Sequence, residues 1–295
     1  GLPNLQSMIK YDPKSWVELI FHSYSKQVIR RLLPGLVGIG VLAAIICVIE
    51  IEVLNLQYGD TVAHSLMGFV LGLFLVFRTN TAYDRWWEGR KQWGAMVNNA
   101  RNLAIKVKSF IDDEEVQAFF MHAIPNYAFA VKEHLRHGVK SEELTDQQSW
   151  MSERFENANH KPNQIALLMY KRLAKSKSKG ELSGEEFYMM DKELKAFTDI
   201  LGACERIKNT PIPYSYSMYM KKFIFLYVIS LPIGFASTFQ YWTIPIVMLI
   251  FYVLVSVELI AEEIEDPFGK DDNDLPTDEL CTKIRANVGE ILQAG

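Results

Sequence analysis

The fold is decided by LMGFVLGLFLVFRTNTAYDRWWEGR, residues 66–90, which passes from an apolar helix to Arg, Asn, Asp and paired tryptophans without a break. Its apolar residues face either lipid or a helical bundle. Trp86 and Trp87 come where aromatic rings favour the boundary between membrane and water. This stretch therefore predicts that the chain crosses a bilayer.

Apolar runs flank the charged middle of the chain on both sides. They cover residues 32–49, 62–77 and 223–257. A helix needs about 20 apolar residues to span the hydrocarbon core, so the last run can hold two short crossings. A turn is expected between them at Gln240, Tyr241 and Trp242. The second run is short and carries His64, and on its own it would equally suit a buried helix.

Basic residues are placed unevenly around these runs, and Lys and Arg tend to stay on the cytoplasmic side of a membrane. Arg30 and Arg31 precede the first run, residues 50–60 contain acids but no Lys or Arg, and Arg78 and Lys222 border the middle region. Both termini are therefore predicted to be cytoplasmic, with the chain integral to the cell (inner) membrane. The predicted organisation is a cytosolic N-terminal segment (1–31), transmembrane helices 1 and 2 (32–77), a cytosolic helical region (78–222), transmembrane helices 3 and 4 (223–257) and a cytosolic C-terminal acidic segment and helix (258–295).

Within the middle region, apolar residues recur at spacings of three and four, which is typical of amphipathic helices. The predicted helices cover residues 84–110, 113–135, 162–174 and 183–208. The last of these ends before Pro211 and Pro213, because proline lacks the amide hydrogen and disfavours helix in the residue before it. The fold class is therefore all-α.

The composition and the motifs argue against several classes of protein. A formal charge of −4 speaks against a nucleic-acid partner. The three cysteines show no metal-site or disulfide spacing, and the histidines are scattered, with His134 and His137 the only close pair. No phosphate loop, Rossmann fingerprint or hydrolase elbow occurs. A membrane enzyme using Asp84 and Glu205 is a weak alternative, because no histidine or nucleophile lies at motif spacing beside them, and we predict that the chain is not an enzyme.

Phe69, Leu73 and Phe77 lie four residues apart and form one apolar stripe on a helix. Ordinary membrane packing explains such a stripe, since Gly68 and Gly72 form a GxxxG pair that permits close helix approach. Alternatively, the stripe lines a pore in which bulky apolar rings gate by dewetting. That second interpretation requires an oligomer with this helix at its axis.

An acidic segment, EEIEDPFGKDDND at residues 262–274, follows the last apolar run. Carboxylates and carbonyls in a loop bent by glycine suit a hard cation such as calcium. The spacing does not fit the EF-hand loop, and a solvated acidic turn explains the segment as well.

Three separated motifs resemble the bestrophin family of ion channels, and especially its bacterial branch. They are FRTNTAYDRWWEGRKQWG (77–94), CERIKNTPIPYSY (204–216) and EDPFGKDDNDLP (265–276), and the resemblance covers roughly residues 15–290. It implies a homopentamer in membrane lipid, with four transmembrane helices per subunit, the second one facing a central pore, and a large cytosolic vestibule.

The resemblance also implies roles for individual residues. The pore neck would fall on Phe69, Leu73 and Phe77. The cytosolic aperture would fall on the helix that begins near Glu185, with Glu186, Phe187 and Met190 as candidates. In animal relatives the acidic segment and the N-terminus form a calcium clasp. Carried over to this chain, Asp271 and Asp274 would be side-chain ligands, while Asp266 and Lys270 would offer carbonyls. The bacterial branch is not expected to require calcium, so no cofactor is predicted to be necessary.

The sequence thus predicts a passive channel for small monovalent ions. General family resemblance favours chloride and other anions, whereas the bacterial branch includes channels for sodium-like cations. The alternative is a non-conducting membrane scaffold or receptor whose helical cytosolic region recruits a partner.

Overall fold

The computed structural model of the 295-residue chain describes residues 23–54, 61–136, 138, 143–145, 155 and 157–293. The regular structure of these residues is helical, and no strand occurs among them. The α-helices are α1 (Ser23–Val48), α2 (Thr61–Phe110), α3 (Glu114–Arg136), α4 (Lys161–Ser178), α5 (Gly184–Asn209), α6 (Tyr214–Phe239), α7 (Thr243–Glu265) and α8 (Thr277–Gln293). A π-helical turn, Ile49–Val53, extends α1, and a 3₁₀ turn, Gln240–Trp242, joins α6 to α7.

The described residues form two compact units. The apolar unit contains residues 23–85 and 211–265, and the polar unit contains residues 86–210 and 266–293. Among the described residues, three segments have the length and composition to span a membrane. They are Val28–Val53, Thr61–Phe110 and Tyr214–Glu265.

In the apolar unit, α1 packs against α6 and α7, and α6 also packs against α7. Leu71 and Leu75 of α2 join Leu231 of α6 in its core. Gly234 permits a close approach of α2 to α6, since a Cβ atom there would lie only 2.6 Å from the ring of His64. The His64 Nε2 atom lies 3.0 Å from the carbonyl oxygen of Ser230, one turn earlier on α6. Small residues therefore allow these two helices to meet, as is usual in membrane bundles.

Helix α2 is continuous over 50 residues. The sequence places the end of a transmembrane helix near Phe77, but this position lies inside α2. No proline interrupts the helix, and its buried face continues through Leu71, Leu75, Arg78 and Ala82. A single helix therefore carries both the apolar run and the charged segment that follows it.

The polar unit has a core of large side chains. Trp93, Phe120, Tyr127 and Phe197 are fully buried in it, and the Tyr127 hydroxyl donates a hydrogen bond to the Phe197 carbonyl at 2.9 Å. Helices α3, α4 and α5 lie where hydrophobic periodicity predicts them, within a few residues at each end, whereas the predicted helix 84–110 is the second half of α2, which begins at Thr61. Ser183 caps α5 through a reciprocal pair of bonds with Glu186, which is the capping box that fixes a helix start.

A buried charge cluster joins α3 to α8 within the polar unit. Lys132 Nζ lies 2.7 Å from both Glu143 Oε2 and Asp278 Oδ1, and Arg136 Nη2 lies 2.8 Å from Asp278 Oδ2. Burial by itself would raise the pKa of Asp278, but the hydrogen bonds from Arg136 and Lys132 outweigh it and hold that pKa below its ordinary value. The ionised form of Asp278 is therefore stabilised by folding.

We predict that Asp278→Asn lowers the free energy of unfolding at pH 7 by about 2 kcal/mol, the size of a charge-assisted hydrogen bond. Because the folded pKa lies below the unfolded value of about 3.9, the contribution is present above that value and is lost as pH falls. The difference between wild type and variant should therefore shrink toward pH 3 in denaturant titrations. Glu290→Gln, at an exposed position on the same helix, serves as the control. A difference that stays constant with pH would contradict the prediction.

Candidate functional site

The predicted stripe on α2 is exposed in the isolated chain. The exposed fractions are 67% for Phe69, 46% for Leu73 and 60% for Phe77, whereas Leu71 and Leu75 on the opposite side are buried. At about 100° per residue, the three stripe residues fall within about 80° of the helix circumference. The stripe therefore does not pack inside its own subunit.

The GxxxG glycines do not share one role. A Cβ atom at Gly68 would collide with the Tyr227 hydroxyl, whereas one at Gly72 would meet nothing within 4 Å. Of the two glycines, only Gly68 therefore makes a close contact within the chain. Helix packing within the chain explains the glycine at position 68, but it does not explain the exposed apolar stripe.

The same exposed face continues past Phe77 with polar residues that the spacing of apolar side chains does not reveal. Asn80 and Asp84 are exposed, and by helical geometry they fall within the same sector of about 80°. No ion pair to Asp84 is present among the described side chains. The seven-residue spacing from Phe77 to Asp84, two helical turns, is the signal in the sequence that places it there.

The basic residues of this part of α2 point elsewhere. Arg78 is 1% exposed, with its Nη2 atom 2.7 Å from Glu265 Oε2 and its Nε atom 3.5 Å from Glu258 Oε1. Arg85 donates from Nε to the Glu265 carbonyl at 3.1 Å. The other carboxylate oxygen of Glu265 accepts from the Ile212 amide at 2.8 Å. Both guanidinium groups are therefore directed toward α7 and away from the stripe.

The acidic segment forms a tight loop between α7 and α8. Asp274 is buried, and its Oδ2 atom accepts from the Asp271 amide at 2.6 Å. A Cβ atom at Gly269 would lie 2.7 Å from that same oxygen, so a larger residue there would have to displace the Asp274 carboxylate. Trp86 Nε1 donates to the Asn273 carbonyl at 2.9 Å, and Arg136 Nε donates to the Phe268 carbonyl at 3.2 Å. The loop is therefore built by its own hydrogen bonds and by donors from α2 and α3.

The predicted calcium ligands have different surroundings in this loop. Asp266, Lys270 and Asp271 are exposed, whereas Asp274 is buried and bonded to the loop backbone. The N-terminal residues expected to contribute lie outside the described residues. Groups of three His, Asp or Glu side chains converge at two other places in the described chain, His134–His160–Glu205 and Glu133–Glu143–Asp278. The residues of the loop thus fit a structural turn better than a calcium cage, and calcium binding there stays a prediction.

The three aperture candidates all occupy the start of α5. Glu186 is held in the capping box with Ser183, and Phe187 packs against the core with Lys177 Nζ 4.9 Å from its ring centre. Met190 is fully buried in the core of its own subunit, so its side chain is not available to line an opening. Sequence reasoning missed the exposed neighbours Tyr188 and Met189.

Residues 8–290 match the family described as bacterial and fungal bestrophin proteins. The chain belongs to this family. A voltage-dependent anion channel-forming protein of Synechocystis is 37% identical over 76% of this chain and 75% of its own length. One of Salmonella typhi is 32% identical over 95% of this chain and 93% of its own length.

Solved bestrophin structures share the fold. The crystal structure of a bacterial bestrophin homologue from Klebsiella pneumoniae superposes with a TM-score of 0.81 at 24% identity, over 89% of this chain and 99% of that one. A second structure of a homologue from that organism gives a TM-score of 0.80 at 25% identity, over 87% and 97%. The likeness extends over nearly the whole length of those bestrophins, so the two units of this chain together correspond to one whole bestrophin chain.

We predict that Arg78→Met destabilises the folded protein by about 3 kcal/mol or more, because it leaves the buried Glu258 without its cation. Thermal unfolding in detergent measures the effect. Arg101→Met, at an exposed position on the same helix, is the matched control and should leave the midpoint nearly unchanged. Adding Glu258→Gln to Arg78→Met should restore part of the loss. Equal midpoints for the Arg78 and Arg101 variants would refute the role of the buried pair.

Proposed function

We propose that this bestrophin is a channel that passively conducts small monovalent ions across a membrane. The observation that carries the proposal is the exposed stripe of Phe69, Leu73 and Phe77 on a helix of membrane-spanning length and composition. Bulky apolar rings at the narrowest part of a pore control conduction by excluding water. Permeation then involves partial ion dehydration and no covalent chemistry.

The proposal needs several copies of the chain, because the stripe is exposed on the surface of a single chain rather than enclosed by it. The exposed face of α2 turns from apolar residues to Asn80 and Asp84 along its length, and these groups favour water over lipid. If several copies place this face toward a common axis, the polar groups meet a water-filled lumen and the outer surfaces meet lipid. We propose five copies, which is the arrangement that the bestrophin resemblance implies.

Each subunit is proposed to cross the membrane four times. The segment Tyr214–Glu265 is 52 residues long, about twice the length of one span, and the turn at Gln240–Trp242 divides it. The distribution of Lys and Arg favours cytoplasmic termini and a cytoplasmic polar unit, in the inner membrane of the cell. Exposed apolar residues on the outer helices, such as Val37, Val41 and Phe225, would contact lipid.

We propose that the channel prefers cations because the carboxylate of Asp84 is exposed near the stripe. The relatives are named as anion channels, and by that likeness chloride is the competing candidate. Near the stripe, however, Arg78 and Arg85 are turned inward, while Asp84 is exposed. A ring of aspartates below the neck raises the local concentration of cations such as sodium. Calcium has no proposed role in opening the channel.

We predict that Phe69→Ala, Leu73→Ala and Phe77→Ala each raise single-channel conductance in planar bilayers, because truncation widens the neck and eases its wetting. Recordings are made with EGTA on both sides, and conduction should persist. Phe225→Ala, the same truncation at an exposed site on α6, should leave conductance unchanged. Wild-type conductance in all three stripe variants would remove the neck assignment.

Purified protein in liposomes tests the alternative of a non-conducting scaffold or receptor. Wild-type protein that gives no ion flux, although folded and assembled, would favour that alternative over the channel.

We predict that Asp84→Asn lowers the permeability ratio of sodium to chloride by about threefold, because it removes the exposed negative charges near the neck. Reversal potentials under asymmetric NaCl measure the ratio. Glu114→Gln, an equivalent loss of charge at the start of α3, should leave the ratio unchanged. A wild-type reversal potential of the chloride sign would overturn the assignment to cations while leaving the channel itself in place.

A further inference from the structure

Two histidines and a glutamate from separate parts of the sequence meet within the polar unit. His134 lies on α3, His160 caps the start of α4, and Glu205 lies on α5. Glu205 Oε1 lies 2.7 Å from His134 Nε2 and 2.9 Å from His160 Nε2. The two ring centroids are 4.4 Å apart. Both imidazoles therefore direct the same nitrogen to a single carboxylate oxygen.

The cluster is open to solvent. The exposed fractions of the three side chains lie between 25% and 31%. The Glu205 carboxylate thus stands between two imidazoles, and no Lys or Arg among the described residues is paired with it.

The second group of converging acidic side chains, in contrast, surrounds a cation. Glu133, Glu143 and Asp278 surround the ammonium group of Lys132, which lies 3.2 Å from the first and 2.7 Å from each of the other two. A lysine therefore occupies the position that a cation would take, and that cluster offers no site. The His134–His160–Glu205 cluster holds no such group.

We propose that His134, His160 and Glu205 bind one divalent transition-metal ion, with Zn²⁺ as the best fit. Two imidazole nitrogens and one carboxylate oxygen, with a water molecule as the fourth ligand, are a donor set typical of zinc. The three ligand atoms lie within 4.8 Å of one another, and tetrahedral bonds of about 2.1 Å would separate them by roughly 3.4 Å. Small side-chain movements therefore suffice. This inference does not depend on ion conduction.

The tautomer of His160 sets the strength of the site. His160 Nδ1 accepts a hydrogen bond from the Asn163 amide at 3.3 Å, which requires that the ring proton be on Nε2 when no metal is bound. A metal at Nε2 needs the lone pair of that nitrogen, so the ring proton must move to Nδ1, and the cap contact of α4 is then lost. Binding therefore competes with a helix cap, and a micromolar rather than a picomolar site is expected.

The test is zinc titration of the purified full chain in detergent, with any polyhistidine tag removed, followed by calorimetry. Wild type should bind one Zn²⁺ per chain, and its thermal midpoint should rise with zinc. Glu205→Gln, His134→Gln and His160→Asn should each weaken binding at least tenfold. His160→Asn removes the ligand but keeps a good helix cap, so it should fold normally. His122→Gln, at a histidine that contacts Thr145 outside the cluster, is the control.

Cobalt substitution gives an independent readout on the wild-type protein. Co²⁺ should produce the visible absorption of a four-coordinate nitrogen and oxygen site, without the near-ultraviolet band of thiolate ligation. The absence of saturable zinc binding by the wild type would overturn the proposal. So would wild-type affinity in Glu205→Gln, or an equal loss of affinity in His122→Gln.

Discussion

The apolar unit depends on the ion pairs that the buried guanidinium of Arg78 forms with two carboxylates. A charge with 1% exposure is tolerated only when it is paired, and here two carboxylates from α7 supply the partners. Glu265 also accepts the Ile212 amide, so the same carboxylate orients the chain just before α6. Because Arg78 must face α7, the rotation of α2 about its own axis is fixed. The opposite face, with Phe69, Leu73 and Phe77, is thereby the one left exposed.

This arrangement separates two roles along one helix. The buried side of α2 carries the residues that hold the subunit together, first leucines and then Arg78 and Ala82. The exposed side does not take part in this packing, so its composition can follow the surroundings that the proposed assembly would give it. A change at Leu73, or at the stripe residue four positions to either side of it, alters the exposed surface without removing a buried core residue. Conductance and stability should therefore respond to different sets of substitutions.

Local patterns in the sequence predict much of this structure. Periodicity of three and four indicates the helices of the polar unit, and the stripe residues stand out by spacing alone. Contacts between residues far apart in the sequence cannot be predicted in this way. Helical periodicity indicates on which face of a helix a residue lies, but not which residue it contacts. Nothing in the sequence near Arg78 indicates Glu258, which lies 180 residues away. For the same reason Met190 could be placed on α5 but its burial could not, and His160 and Glu205 show no motif spacing although they meet in space.

The charges near the stripe are the physical basis of the proposed cation selectivity. A paired arginine contributes little field beyond its partners, since a carboxylate at 2.7 Å largely cancels it at the distance of a lumen. Arg78 is cancelled in this way, and Arg85 is directed to a carbonyl of α7. Asp84 has exposure and no compensating ion pair among the described residues, so its charge reaches the solvent in front of the stripe. In a ring of subunits such charges add at the axis, whereas the inward-facing pairs do not. The buried salt bridge thus fixes the orientation of the helix and leaves Asp84 as an exposed charge beside the stripe.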